Sequence, residues 1–245
     1  MTKPYAFFDV DGTLLHLKSM FSFHEFWYLR WNGLSGEAHA EEYEDVTAIL
    51  RALGESDAPR ELINRRYYEF FSGRSVDAVT HSAQAWARGM ICNPNLFITE
   101  TIEELDSLRD KGFEPVLVSG SFVELLAPIA EHLGVQHVLA TRLLHAGGTY
   151  TGRFEAPQTI GEGKATAIAQ FLAHRTAKAA DCWAFGDDIS DLPMLNFVGH
   201  PVAVIGDSAL GAVARNRGWR CLHLNAFDDQ SLIRASMSAL VGATS

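Results

Sequence analysis

Near the start of the chain a four-residue apolar run, Tyr5–Phe8, stops at a loop carrying two carboxylates, Asp9-Val10-Asp11-Gly12-Thr13-Leu14. A short, unbroken apolar run is the pattern of a strand buried on both faces, which occurs where helices cover a parallel sheet. Ligands of open α/β sheets bind outside the carboxyl ends of the strands, so this loop falls where chemistry is done. The arrangement recurs. Val116-Leu117-Val118 runs into Ser119-Gly120-Ser121, and the run 182–185 ends in Gly186-Asp187-Asp188-Ile189-Ser190-Asp191.

The segments around these runs alternate in period. Ile102, Leu105 and Leu108 have helical spacing, 114–118 reads as a strand, and Val123, Leu126, Ile129 and Leu133 mark the next helix. Residues 138–144 and Thr149–Phe154 flank Gly147-Gly148 as a hairpin, a helix follows over 163–172, and 202–205 and 219–222 read as further strands. Such alternation predicts an α/β fold with a doubly wound, mostly parallel, Rossmann-like sheet.

Residues 15–95 differ. Phe23, Phe26, Trp27 and Leu29, then Val46, Ile49, Leu50 and Leu53, then Leu62, Ile63, Tyr67 and Phe70 all repeat at helical spacing. Gly33, Gly36, Gly54, Pro59 and Gly73 punctuate them, and Cys92-Asn93-Pro94-Asn95 is a turn signal. The expected organisation is a core of 1–14 and 96–245 with a helical insert of about four helices, 15–95, after the first strand. The aromatic run Phe21, Phe23, Phe26, Trp27, Tyr28 and Trp31 reads as core packing, with a substrate wall or a subunit interface as the alternatives.

A chain of 245 residues has room for such a core and insert. Its formal charge of −10 argues against a nucleic-acid surface, which needs a basic stripe. Cys92, Cys182 and Cys221 lack metal spacing and read as reduced, buried thiols. No signal-peptide pattern is evident and no apolar run approaches the ~20 residues of a membrane helix, so a cytoplasmic protein is expected, monomer or homodimer, without stable membrane insertion.

The polar segments carry the chemistry. Asp9 and Asp11 stand two residues apart at the end of the expected strand, and Gly12 lets the chain turn sharply there; alone, they would also suit an Asp-Gly turn. Ser119-Gly120-Ser121 before a helix suits an anion site, and Ser121 with Glu124 suits a capping box. Lys164, in Gly161-Glu162-Gly163-Lys164, is a cation at a helix start, against the helix dipole. Asp187, Asp188 and Asp191 crowd together, and like charges so close repel unless a cation or protons intervene; hard oxygen ligands suit Mg²⁺.

In this order, at these strand ends, the four segments resemble the haloacid dehalogenase superfamily. The subgroup is the phosphoserine-phosphatase-like one (subfamily IB), given Val118-Ser119-Gly120-Ser121, Tyr150-Thr151-Gly152-Arg153 and 186–195. The resemblance implies a phosphatase acting on a small-molecule phosphomonoester through an aspartyl-phosphate, with Mg²⁺ as cofactor. It implies Asp9 as nucleophile, Asp11 as acid and base, and Lys164 as the neutralising cation that also binds phosphate. It implies Ser119 and Gly120 as phosphate-binding, and Asp9, the Asp11 carbonyl and Asp187 as metal ligands, with Asp191 organising them. The insert becomes a cap that selects substrates.

One departure concerns Lys18. True phosphoserine phosphatases of this type carry a Glu nine residues after the nucleophile to bind the substrate ammonium. A lysine there argues against phosphoserine and for a second anionic group, or for a merely solvated lysine. Arg65 and Arg66 are further candidates to clamp an anion. The alternatives are a phosphotransferase or phosphomutase using the same Asp, a non-catalytic binding protein, and a metal-free dehalogenase. Retention of both Asp9 and Lys164 disfavours the binding protein, and Asp11 with the Asp187 and Asp191 cluster disfavours the dehalogenase.

Overall fold

The computed structural model describes residues 3–31, 40–56, 58–93, 95–205 and 209–224; Gly33, Gly36 and Pro94 lie outside them. The chain enters through β1 (Tyr5–Phe8) and continues into α1 (Ser19–Glu25), whose last turn widens over Phe26–Arg30. Then come α2 (Ala40–Glu55), α3 (Arg60–Glu69), α4 (Val76–Ile91) and α5 (Thr99–Asp110). The remainder is β2 (Glu114–Phe122), α6 (Val123–His132), β3 (His137–Thr141), β4 (Leu143–Ala146), β5 (Thr149–Phe154), α7 (Glu162–Ala173) and β6 (Trp183–Gly186). It closes with α8 (Leu192–Phe197), β7 (His200–Ile205), α9 (Ala209–Arg217) and β8 (Arg220–His223).

Six strands form one parallel sheet in the order β3-β2-β1-β6-β7-β8. The chain lays down β1, β2 and β3 outward in one direction, returns to the centre, and lays down β6, β7 and β8 in the other. Strand order therefore reverses between β1 and β6, which is where doubly wound sheets bind ligands.

Alternation along β1 explains its all-apolar sequence. Ala6 and Phe8 join the core under α1–α6, while Tyr5 and Phe7 join the one under α7, α8 and α9. A strand with helices on both faces has no side to leave polar. On the first face Phe23, Tyr67, Phe71, Trp86 and Phe122 meet ring to ring. Phe23, Phe26, Trp27 and Tyr28 are buried there, as expected of core packing, whereas Phe21 is 50% exposed.

Three local expectations are corrected. Residues 138–144 are not one strand: β3 ends at Thr141 in the main sheet, and β4 pairs antiparallel with β5 in a separate hairpin. Gly147 and Gly148 both take positive φ at its turn, as a tight two-residue turn requires. Ser121 and Glu124 form no capping box, because α6 begins only at Val123 with Phe122 as its unassisted cap. Ser121 instead sits in a bulge of β2, where register shifts between Ser119 and Phe122 and the extra residues swing toward the site. Of the cysteines only Cys182 is buried; Cys92 is exposed and Cys221 half-buried. Among the described residues no helix is long and apolar enough to cross a membrane.

Candidate active site

The carboxyl ends of β1, β2 and β6 and the first turn of α7 open into one small cavity lined by Asp9, Asp11, Ser119, Gly120, Lys164 and Asp191. Lys18, Phe21, Arg60, Asn64 and Asp188 line it too. Its volume is about 60 Å³; at about 10–15 Å³ per water, it has room for a phosphoryl-sized group and little of a leaving alcohol.

Asp9 follows β1 directly and is fixed through its backbone N–H, which donates to the Phe185 carbonyl at 2.9 Å. The buried Lys164 ammonium donates to Asp9 Oδ1 and, at 2.5 Å, to Asp191 Oδ1. Burial alone would lower the Lys164 pKa, but Asp191 and Asp9 outweigh it and hold the ammonium above the usual lysine range. That interaction accounts for a cation at the start of α7. Burial pushes the Asp9 and Asp191 carboxyls up, against the pull of Lys164. One ammonium between two buried carboxylates leaves the cluster short of positive charge.

Asp11 has another environment. Burial first, and the Asp9 charge second, push its carboxyl up to about 6. Its Oδ2 accepts from the Ser19 hydroxyl at 2.9 Å, while Oδ1 is buried without a partner. An acid poised near neutral pH, with one oxygen uncommitted, on a residue that lines the cavity, is suited to proton transfer. Ser19 also meets Ser121 at 2.7 Å, tying the β1 loop to the β2 bulge.

The second acidic loop is organised by Asp191. Its Oδ2 accepts the backbone N–H groups of Asp187 and Asp188, both at 3.1 Å, and Lys164 takes Oδ1. Gly186 lets it lie this close, since a Cβ there would fall 2.6 Å from the Asp191 Cβ. Asp187 accepts from the Thr13 hydroxyl at 3.0 Å and keeps Oδ2 turned toward Gly12 and Lys18. Gly12 has φ +98, and a side chain there would collide with Asp187.

The donors fit a hard divalent cation. Asp9, Asp187 and Asp191 can each bring a carboxylate oxygen within 4.8 Å of the others. The Asp11 carbonyl oxygen faces the same point, because the Lys18 ammonium donates to it at 2.5 Å while standing 3.5 Å from Asp187 Oδ2. A positive group already settles against these oxygens. Since both Asp191 oxygens are committed elsewhere, Asp9, Asp187 and the Asp11 carbonyl are the better ligand set.

The structure thus brings Asp9, Asp11, Ser119, Gly120, Lys164, Asp187, Asp191 and Lys18 together. It does not bring Arg65 or Arg66, although they lie on the neighbouring helix α3. Arg65 is exposed, and Arg66 pairs with Glu69 at 2.5 Å and lies over the Phe70 ring. The arginine at the cavity is Arg60, which pairs with Asp188 at 2.6 Å. Asn64 and Tyr68, each one turn further along α3, both donate to the Gly120 carbonyl. Arg60, Asn64 and Tyr68 recur every four residues, so polar-tipped groups at that spacing were the available signal. Phe21, beside them, was the exception among the aromatics.

Comparison with known proteins points to one family. The model of the haloacid dehalogenase-like hydrolases matches residues 6–196. A probable phosphatase of Mycobacterium tuberculosis is 30% identical over 217 residues, covering 89% of this chain and 74% of that protein. The phosphoserine phosphatase SerB1 of the same organism is 32% identical over 222 residues, covering 87% and 68%. A solved phosphoserine phosphatase holding an analogue of a phospho-aspartyl intermediate superposes with TM-score 0.63 at 18% identity, covering 96% of this chain and 99% of that one. The chain belongs to the haloacid dehalogenase-like hydrolase family. Within it, this protein is an enzyme of the phosphatase type.

Proposed function

We propose that the protein is a Mg²⁺-dependent phosphomonoester hydrolase working through an aspartyl-phosphate on Asp9. The observation that carries this is the pairing, in one cavity, of a lysine-held Asp9 with an Asp11 whose carboxyl is raised to about 6. In this reading 1–14 and 96–245 are the catalytic core, and 15–95 is a cap whose helices α1 and α3 present Phe21, Arg60 and Asn64 to the substrate.

An Asp9 oxygen attacks phosphorus as the bond from phosphorus to the ester oxygen breaks. The leaving oxygen takes the Asp11 proton and departs as an alcohol. Asp11, now a carboxylate, removes a proton from water, which attacks phosphorus and releases phosphate and free Asp9. Lys164 neutralises Asp9 and a phosphoryl oxygen. Ser119 already accepts the Ser121 N–H at 3.0 Å, leaving its own O–H to donate to another. Asp9, Asp187 and the Asp11 carbonyl would hold Mg²⁺, which would supply positive charge to the phosphoryl oxygens.

A small-molecule phosphomonoester is the substrate in this reading, and it is not phosphoserine. Lys18 stands where an ammonium-binding Glu is needed, and Arg60 and Phe21 at the mouth suit an anionic or apolar leaving group. The test is phosphate release from p-nitrophenyl phosphate and a panel of metabolite phosphates, with MgCl₂, with chelator, and with Asp9→Asn. Release that needs Mg²⁺ and vanishes in Asp9→Asn supports the mechanism. Chelator-resistant release would overturn the metal assignment, and transfer of label to an alcohol in preference to water would replace hydrolysis by phosphotransfer.

A further inference from the structure

Lys18 has no part in the steps above, yet its ammonium stands among the oxygens of the site. It donates to the Asp11 carbonyl oxygen at 2.5 Å and lies 3.5 Å from Asp187 Oδ2. These are two of the three groups assigned to the divalent ion. The lysine is held there from its backbone. Its carbonyl accepts the Ser22 N–H at 3.1 Å, and the next residue, Ser19, is pinned to Asp11 and Ser121. The side chain itself is 40% exposed, so the ammonium reaches in from the mouth and can withdraw without opening the fold.

We infer that the Lys18 ammonium is a built-in competitor of the divalent ion. Without metal it bridges the Asp11 carbonyl and Asp187 and offsets their charge. When the ion binds, it must give up both oxygens, because a divalent cation takes the same oxygens and repels the ammonium at such separations. The four-carbon stem then lets the ammonium swing back toward Phe21 at the mouth, where it faces the leaving group. The metal therefore binds more weakly than its ligand set alone allows, and its arrival frees a cation for the substrate. A glutamate at this position would do the opposite, adding a charge that attracts the metal.

The inference rests on the Mg²⁺ reading of the site, so its test measures binding rather than turnover. MgCl₂ is titrated calorimetrically into the purified chain as wild type, Lys18→Met and Lys18→Arg, at one ionic strength. Lys18→Met is expected to bind Mg²⁺ about tenfold more tightly, the effect of no longer breaking one hydrogen bond from a charged donor. Lys18→Arg is expected to stay within about threefold of wild type. In chelator, Lys18→Met should melt below the wild type, and saturating MgCl₂ should remove that gap. Equal or weaker Mg²⁺ binding by Lys18→Met overturns the inference and leaves the metal reading standing. Binding by none of the proteins overturns both. If Lys18→Met does not fold in chelator, Lys18→Gln, uncharged but still a donor, carries the same comparison.

Discussion

Asp9, Lys164 and Asp191 on the floor of the cavity are each 6% exposed or less, whereas Phe21 in its roof is 50% exposed. The floor is built from strand ends, where sheet hydrogen bonds fix the backbone and Lys164 and Asp191 each hold two or more partners. The roof is built from helix faces, where Arg60 is held by the Asp188 loop and Asn64 only by a long 3.4 Å contact to the Gly120 carbonyl. Charge developing on a phosphoryl group is best met by dipoles and ions that do not reorganise. Choosing among leaving groups needs side chains that yield. In the proposed reading the two regions divide these tasks, and each should fail in its own way when altered.

The largest expected effect is on the floor. Asp9→Asn should lower kcat on the order of 10⁴-fold or more for every ester, since in the proposed mechanism it removes the attacking oxygen itself. Phe21→Ala, in the roof, should instead change the ranking of esters, by less than about tenfold each. A uniform loss in Phe21→Ala, or an Asp9→Asn enzyme that retains a tenth of its rate, breaks the division of labour. Next in size is a change to the roof's anchorage. Trp86 of α4 is fully buried against Phe23 and donates from Nε1 to the Ser22 hydroxyl at 3.1 Å. Trp86→Ala should cost about 3–5 kcal/mol in urea unfolding. If the helices melt before the sheet, as two transitions, the roof is a separate cooperative unit.

The floor was legible in the sequence because its residues are local in the chain and tied to strand ends. Asp9-Val10-Asp11 and the Asp187 to Asp191 cluster each fit within five residues, and an apolar run before each gave its place in the sheet. The roof was not legible because it depends on how a helix is rotated about its axis. Arg65 and Arg66 are chemically as suitable as Arg60. Burial of Tyr67 and Tyr68 turns α3 so that Arg60 and Asn64 meet the cavity and Arg65 meets water. The failed capping box has a similar origin, since nothing in apolar periodicity announces that β2 bulges and continues to Phe122.

A smaller effect separates the regions by pH. His24 in α1 is buried among the Tyr28, Tyr43 and Tyr67 rings and meets the Thr47 hydroxyl at 3.0 Å. Burial lowers its pKa from 6.5 to about 4, against a small opposing pull from Glu25. The unfolded chain thus binds more protons between these values. The stability His24 supports is complete above pH 6.5 and is lost as pH falls toward 4, by up to about 3 kcal/mol. Asp11 works in reverse. Its folded pKa is raised to about 6, so its contribution is present below its ordinary value of 3.8 and is lost as pH rises through 6. Urea midpoints between pH 7 and pH 4.5 should therefore fall less steeply in His24→Gln than in wild type, and more steeply in Asp11→Asn. Parallel slopes in all three proteins would show that neither group titrates as its surroundings imply.

The smallest effect on stability tests the join between the regions. Arg60 Nη1 lies 2.6 Å from Asp188 Oδ1, and both side chains are more than a third exposed or close to it, at 43% and 34%. Solvent screens such a pair, so Arg60→Ala should cost no more than about 1 kcal/mol of unfolding free energy. The pair nevertheless spans from α3 to the loop after β6, and with Lys18 and Asp187 it is an ionic contact between roof and floor beside the carboxylates of the site. Arg60→Ala is therefore expected to raise KM severalfold for esters with an anionic leaving group while changing kcat little, and Asp188→Ala, which frees the guanidinium for substrate, to lower KM for the same esters. Opposite signs in KM would show that Arg60 is shared between latch and substrate. Matching losses in both variants would show that the contact only closes the roof, and specificity would then have to come from Phe21, Asn64 and the ammonium of Lys18.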